Sequence, residues 1–116
     1  MDIETWRKYC LHFPGVEESL PFGPDTLVYK VGGKIFALTG LDEDECSVNL
    51  KCDPEIAVEL RENYPDHVFP GYHMNKKHWN TVFTERGLPE KLVLSWIDHS
   101  YQLVASALPE KVKNKL

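Results

Sequence analysis

The sequence predicts an α+β domain, a two-layer sandwich whose antiparallel sheet is covered on one face by helices. Three observations carry this expectation. Gly32-Gly33 separates two β-rich runs. Amphipathic stretches open at Pro54 and Pro89. The strands also fall into groups with helices between them, in the order α-βββ-α-ββ-α, instead of alternating singly as βαβ units do.

The first helix is expected over about Asp2 to Phe13. Asp2 can cap it, and Ile3, Trp6, Cys10 and Phe13 recur at helical spacing on one face. Pro14-Gly15 stops it. VEESLPFGPD, with prolines at 21 and 24, reads as an extended connector in which Phe22 is a buried anchor. TLVYKV, Gly32-Gly33 and KIFALTG then form a hairpin, the glycines supplying the positive φ of a primed turn. A two-residue turn sets Val31 opposite Lys34, Lys30 opposite Ile35 and Tyr29 opposite Phe36. Both faces of the hairpin are apolar, so the pattern does not say which one meets the helices.

The acidic run 42–45 reads as a solvated turn. CSVNLKC alternates, with Val48, Leu50 and Cys52 on the buried side and Ser47, Asn49 and Lys51 on the other. Asp53-Pro54-Glu55 is a helix start, with a capping acid, proline in the first turn and a following acid. Ile56, Ala57, Leu60 and Tyr64 form the stripe of that helix, and Pro65 ends it. Short strands are expected at His67–Phe69 and at His78–Thr84, the latter with Trp79, Thr81 and Phe83 on one face. The last helix opens at Pro89. Its stripe is Val93, Trp96, Ile97, Ser100, Tyr101, Val104 and Leu108, and Pro109 interrupts it.

The 116 residues are expected to form a single domain, 1–116, without linkers or repeats. No apolar run reaches the roughly 18 residues of a membrane span, and MDIETWRKYC has no signal-peptide core, so a cytoplasmic protein is expected. Cys10, Cys46 and Cys52 contain no CxxC pair and read as reduced, structural thiols. The net charge of −5 weighs against a generic nucleic-acid binder. A local basic face still acts within a Debye length of about 10 Å.

The stretch Pro65–Thr84, PDHVFPGYHMNKKHWNTVFT, departs from this acidic background. It holds three of the five histidines and no acid after Asp66. The spacing of His67, His73 and His78 matches no common zinc pattern, and no metal or other cofactor is expected. Cys52 precedes a helix N-terminus, which favours a thiolate, but Asp53 beside it opposes that charge. VGGK lacks the spacing of a phosphate loop. The paired carboxylates lie only in the solvated run 42–45, so no catalytic residues are assigned and a non-enzymatic protein is expected.

Six blocks carry a family resemblance: Pro21-Phe22-Gly23, VGGKIFAL (31–38), VNLKCDPE (48–55), Tyr64-Pro65, PGYHMNKKHWNTV (70–82), and Trp96-Ile97-Asp98 with Ser100-Tyr101. With them the chain resembles the MmcQ/YjbR family of small bacterial proteins. The resemblance implies a two-layer fold similar to frataxin-like and secretion-chaperone-like domains, and DNA binding through a double-wing motif. The wings would be the hairpin around Gly32-Gly33 and the 70–80 loop.

The candidate contact residues are Lys30, Lys34, Lys51, Tyr72, His73, Asn75, Lys76, Lys77, His78 and Asn80. Lysines neutralise phosphates, asparagines bond base edges or phosphates, and Tyr72 stacks or wedges. Trp79 is expected in the core. The alternative partner is a protein or a small anionic ligand, which the mixture of aromatic, His and Lys residues also suits.

Overall fold

In the computed structural model, which describes residues 1–71 and 74–116, Asp2 starts the first helix. Its carboxylate accepts the Thr5 amide at 2.8 Å, and α1 runs Ile3–His12. Trp6 and Cys10 on its inner face are buried, as is Phe13 just beyond it.

The segment expected to be a connector contains a strand, β1 (Val16–Ser19), so the chain has one strand more than the sequence pattern gave. β1 forms a sheet edge and pairs antiparallel with β2 (Thr26–Val31), Val16 opposite Val31 and Ser19 opposite Val28. Its alternation is hidden because only Val16 adds an apolar group to the core. Glu18, two residues on, is neutralised by Arg7, which donates to its carboxylate at 2.8 and 3.0 Å, and it accepts the Tyr29 hydroxyl at 2.9 Å. Phe22 is not a buried anchor. It is 65 % exposed, because the chain turns back between β1 and β2, with the Gly23 amide donating to the Leu20 carbonyl.

The hairpin joins β2 to β3 (Lys34–Gly40) with Val31 opposite Lys34 and Lys30 opposite Ile35. The register then shifts between Tyr29 and Lys30, and Tyr29 faces Ala37 instead of Phe36. This irregularity lets Phe36 and Ala37 both join the helix-side core. Ile35 and Leu38 go to the opposite face, where Leu38 packs with Val28 and Trp79, flanked by Ile35 and Met74. Both faces of the hairpin are apolar because both are packed.

The remaining strands are β4 (Ser47–Lys51), β5 (Val68–Pro70) and β6 (Trp79–Phe83). Every neighbouring pair is antiparallel, and the sheet order is β1-β2-β3-β4-β6-β5. α2 (Pro54–Asn63) lies between β4 and β5 in the chain, with Asp53 accepting the Glu55 and Ile56 amides as its cap. α3 (Glu90–Ser106) follows β6, and beyond Pro109 a short α4 (Glu110–Lys113) ends the chain.

The helices cover one face of the sheet. Val93, Trp96, Ile97, Ser100, Tyr101, Val104 and Leu108, the stripe read from the sequence, are all buried there. Tyr101 stacks on Phe13 at 4.4 Å and meets Phe36 edge-on at 5.5 Å, pairs that each add about 0.5–1.5 kcal/mol beyond burial. No helix among the described residues is long and apolar enough to cross a membrane.

Candidate functional site

The turn of the β2–β3 hairpin and the segment that leads into β6 share a groove of about 760 Å³, which also runs along the C-terminal half of α3. Lys34, Lys51 and His78 line it together with Met74, Trp79, Leu103 and Leu108.

The hairpin end is shaped by two glycines with positive φ, 57° at Gly32 and 80° at Gly33. A Cβ on Gly32 would lie 2.6 Å from a Leu108 methyl, whereas one on Gly33 would meet nothing within 4 Å. The other wall is built by local hydrogen bonds. Asn75 Oδ1 accepts the Lys77 amide at 2.9 Å, and the His78 amide donates to the Asn75 carbonyl at 3.1 Å. The His78 carbonyl accepts the Cys52 amide at 2.7 Å, joining this turn to the end of β4. Gly71 is required by close approach, since a Cβ there would lie 2.8 Å from the Trp79 Cβ.

The sequence-derived contact residues separate into groups. Lys34, Lys51 and His78 converge on the groove, and Lys51 Nζ stands 5.6 Å from the centre of the Trp79 ring. Asn75, Lys76 and Lys77 are exposed on the adjoining turn. Lys30 sits on β2 between Glu17 on one neighbour and Ile35 on the other, and does not line the groove. Asn80 is not a surface group. It is 2 % exposed, its Oδ1 accepts from Arg61 at 2.7 Å, and its Nδ2 donates to the Ala57 carbonyl at 3.4 Å. Tyr72 and His73 lie outside the described residues. Trp79 is buried as expected, but in the small cluster on the helix-free face.

Arg61 is the residue that sequence reasoning missed. Besides Asn80, its guanidinium donates to the carbonyls of Lys76 and Trp79, so it clamps the 76–80 segment onto α2. Its position in the last turn of an amphipathic helix looks like an ordinary solvated site. The buried partners that give it a role come from a strand 19 residues away.

The acids do not enter this groove apart from Asp53. Glu43, Asp44 and Glu45 line a second hollow of about 510 Å³ with Phe69, Phe83 and Arg86. There Arg86 lies 3.9 Å over the Phe83 ring and donates to both Glu45 oxygens, at 2.5 and 2.9 Å. That contact holds the Glu45 carboxyl below its ordinary pKa.

The Cys52 thiol is pushed up to about 11, first by burial and then by the Asp53 charge, so it is protonated at neutral pH. His67 is occupied with the Arg86 carbonyl at 2.8 Å. Among the described residues, no group of metal-ligating side chains converges.

A sequence model of the YjbR family matches residues 11–103. The chain belongs to the YjbR family. The uncharacterized Escherichia coli protein YjbR is 37 % identical over 116 residues, spanning 100 % of this chain and 97 % of its own. Its Escherichia coli O157:H7 relative YbdF is 38 % identical over 113 residues, 97 % of this chain and 92 % of that protein. Among solved structures, a Deinococcus radiodurans protein with a DUF419 domain superposes with a TM-score of 0.91 at 36 % identity, covering 97 % of this chain and 86 % of the other. A Pseudomonas syringae protein superposes at 0.77 with 29 % identity, covering 90 % and 99 %. The YjbR fold is thus shared by bacterial proteins along almost the whole chain.

Proposed function

We propose that this YjbR-family protein is a non-enzymatic binding protein that takes DNA by its phosphate backbone. The β2–β3 turn and the 75–77 turn act as paired wings on either side of the groove. The supporting observation is the convergence of Lys34, Lys51 and His78 on one groove, beside the exposed Lys76-Lys77 turn, while Glu43, Asp44 and Glu45 line a different hollow. Phosphate contacts by lysine release condensed counterions, so such binding is steeply salt-dependent. The net charge of −5 opposes it at long range, which favours modest affinity and makes low salt the condition in which to detect it. The test is titration of a short labelled duplex at low salt. Saturable binding that weakens in Lys76→Glu with Lys77→Glu supports the surface, and unchanged affinity in that variant removes it.

A second reading has its own support. The groove volume lies within the range of small-molecule sites, and its Met74, Trp79, Leu103 and Leu108 lining is apolar. A small anion with an apolar body, held by Lys34 and Lys51, fits that mixture. Calorimetry separates the readings: a silent duplex beside a binding aryl or alkyl carboxylate favours the small ligand.

A further inference from the structure

The helices do not close over the whole sheet. α2 packs on β5 and β6, whereas α3 packs on β2, β3 and β4. Between them, over β4 and β6, a cavity of about 190 Å³ remains. Leu50, Leu60, Val82 and Trp96 form its walls. Ile56, 38 % exposed, lines it from the solvent side.

We infer that this cavity binds a small apolar molecule, about one aromatic ring in size, that carries one hydrogen-bond acceptor. Water is held poorly there, because an ordered water needs about two to four polar partners, and the Asn80 amide, Ser100 Oγ and His99 Nε2 in the lining are already engaged. Asn80 is bonded at both amide atoms. Ser100 Oγ donates to the Lys51 carbonyl at 2.6 Å. His99 Nε2 accepts the Asp53 amide at 3.2 Å. Poorly held water is displaced by an apolar group at a gain, and an apolar cavity of roughly 150 Å³ is already large enough for benzene. His99 sets the polar requirement. With Nε2 accepting the Asp53 amide, a neutral ring holds its proton on Nδ1, and that N–H is the donor proposed for the ligand. The exposed edge at Ile56 provides entry without unfolding of either helix.

The test is an NMR titration of the full chain with acetophenone, and with ethylbenzene as the matched ligand lacking an acceptor. Acetophenone is expected to give saturable shifts of the Trp96 indole N–H and the Cys52 and His99 amides, and to bind more tightly than ethylbenzene. Ile56→Phe fills the cavity from its rim and should weaken acetophenone at least about tenfold, while Ile56→Ala should retain it. Non-saturable shifts, shifts scattered over the surface, or an Ile56→Phe variant that binds as well as wild type would overturn the inference. If Ile56→Phe does not fold, alkylation of Cys52 in the wild-type protein decides. Slowing by acetophenone supports occupancy, and an unchanged rate refutes it.

Discussion

Arg61 Nε lies 2.7 Å from Asn80 Oδ1, and the same guanidinium reaches the carbonyls of Lys76 and Trp79. One side chain of α2 therefore fixes both the start of β6 and the turn that forms a wall of the groove. Removing it leaves a buried amide oxygen without its partner.

Arg61→Met is accordingly expected to lower the unfolding free energy by about 1–3 kcal/mol, the usual cost of a buried polar group left unpaired. Urea denaturation measures this. Arg61→Lys is expected to restore little, because a point-like ammonium cannot reach three acceptors as a planar fork does. Equal stability of Arg61→Met and wild type would mean the clamp contributes nothing.

The hairpin glycines differ in what surrounds them. Both have positive φ, so alanine at either position costs about 1 kcal/mol of backbone strain. At Gly32 the added methyl also runs into the buried Leu108 side chain, whereas at Gly33 it meets open space. Gly32→Ala is expected to be the more destabilising by about 1–3 kcal/mol, and thermal unfolding of the two variants checks the order.

Glu18 links stability to pH. The Arg7 hydrogen bonds lower its pKa first, and the Tyr29 hydroxyl adds to this. A folded-state pKa below the unfolded value gives stability that is present above the ordinary value of 4.5 and lost as pH falls through the folded value. Because Arg7 is 47 % exposed, the effect is discounted for solvent screening. Glu18→Gln is expected to cost about 1 kcal/mol near neutral pH and progressively less as pH falls below 4.5 and through the folded-state value. Denaturation of both proteins across that range provides the comparison. Parallel curves would remove Glu18 from the acid response.

Cys52 should be chemically quiet. With its pKa pushed from 9.0 to about 11, it carries about a hundredfold less thiolate at neutral pH than an ordinary thiol. Site-resolved alkylation by mass spectrometry is expected to show a slow rate that keeps rising up to about pH 11. A plateau near pH 9 would show that burial does not control the thiol.

Much of the fold is legible in the sequence where one physical signal is repeated. The α3 stripe recurs at helical spacing, and all of it is buried. Asp53-Pro54 specifies a helix start by local capping alone. Gly32-Gly33 fixes the hairpin end, although the register shift at Tyr29 depends on helix packing that the local sequence does not encode. β1 escapes because its second core-facing residue is Glu18, whose partner Arg7 sits on a different element. The site divides in the same way. Lys34 and Lys51 stand out as cations at strand ends. Asn80 is misread as exposed because its partners, Arg61 and the Ala57 carbonyl, lie on α2 and become neighbours only when that helix docks.

The salt dependence of duplex binding, compared between wild type and Lys34→Gln with Lys77→Gln, tests the central claim most directly. Both lysines are exposed, so the substitutions leave the fold intact. Each lost phosphate contact removes about 0.9 from the slope of log K against log salt concentration. The account predicts saturable binding at low salt and a slope shallower by about 2 in the double variant. No saturable binding at low salt, or one slope shared by both proteins, would contradict it.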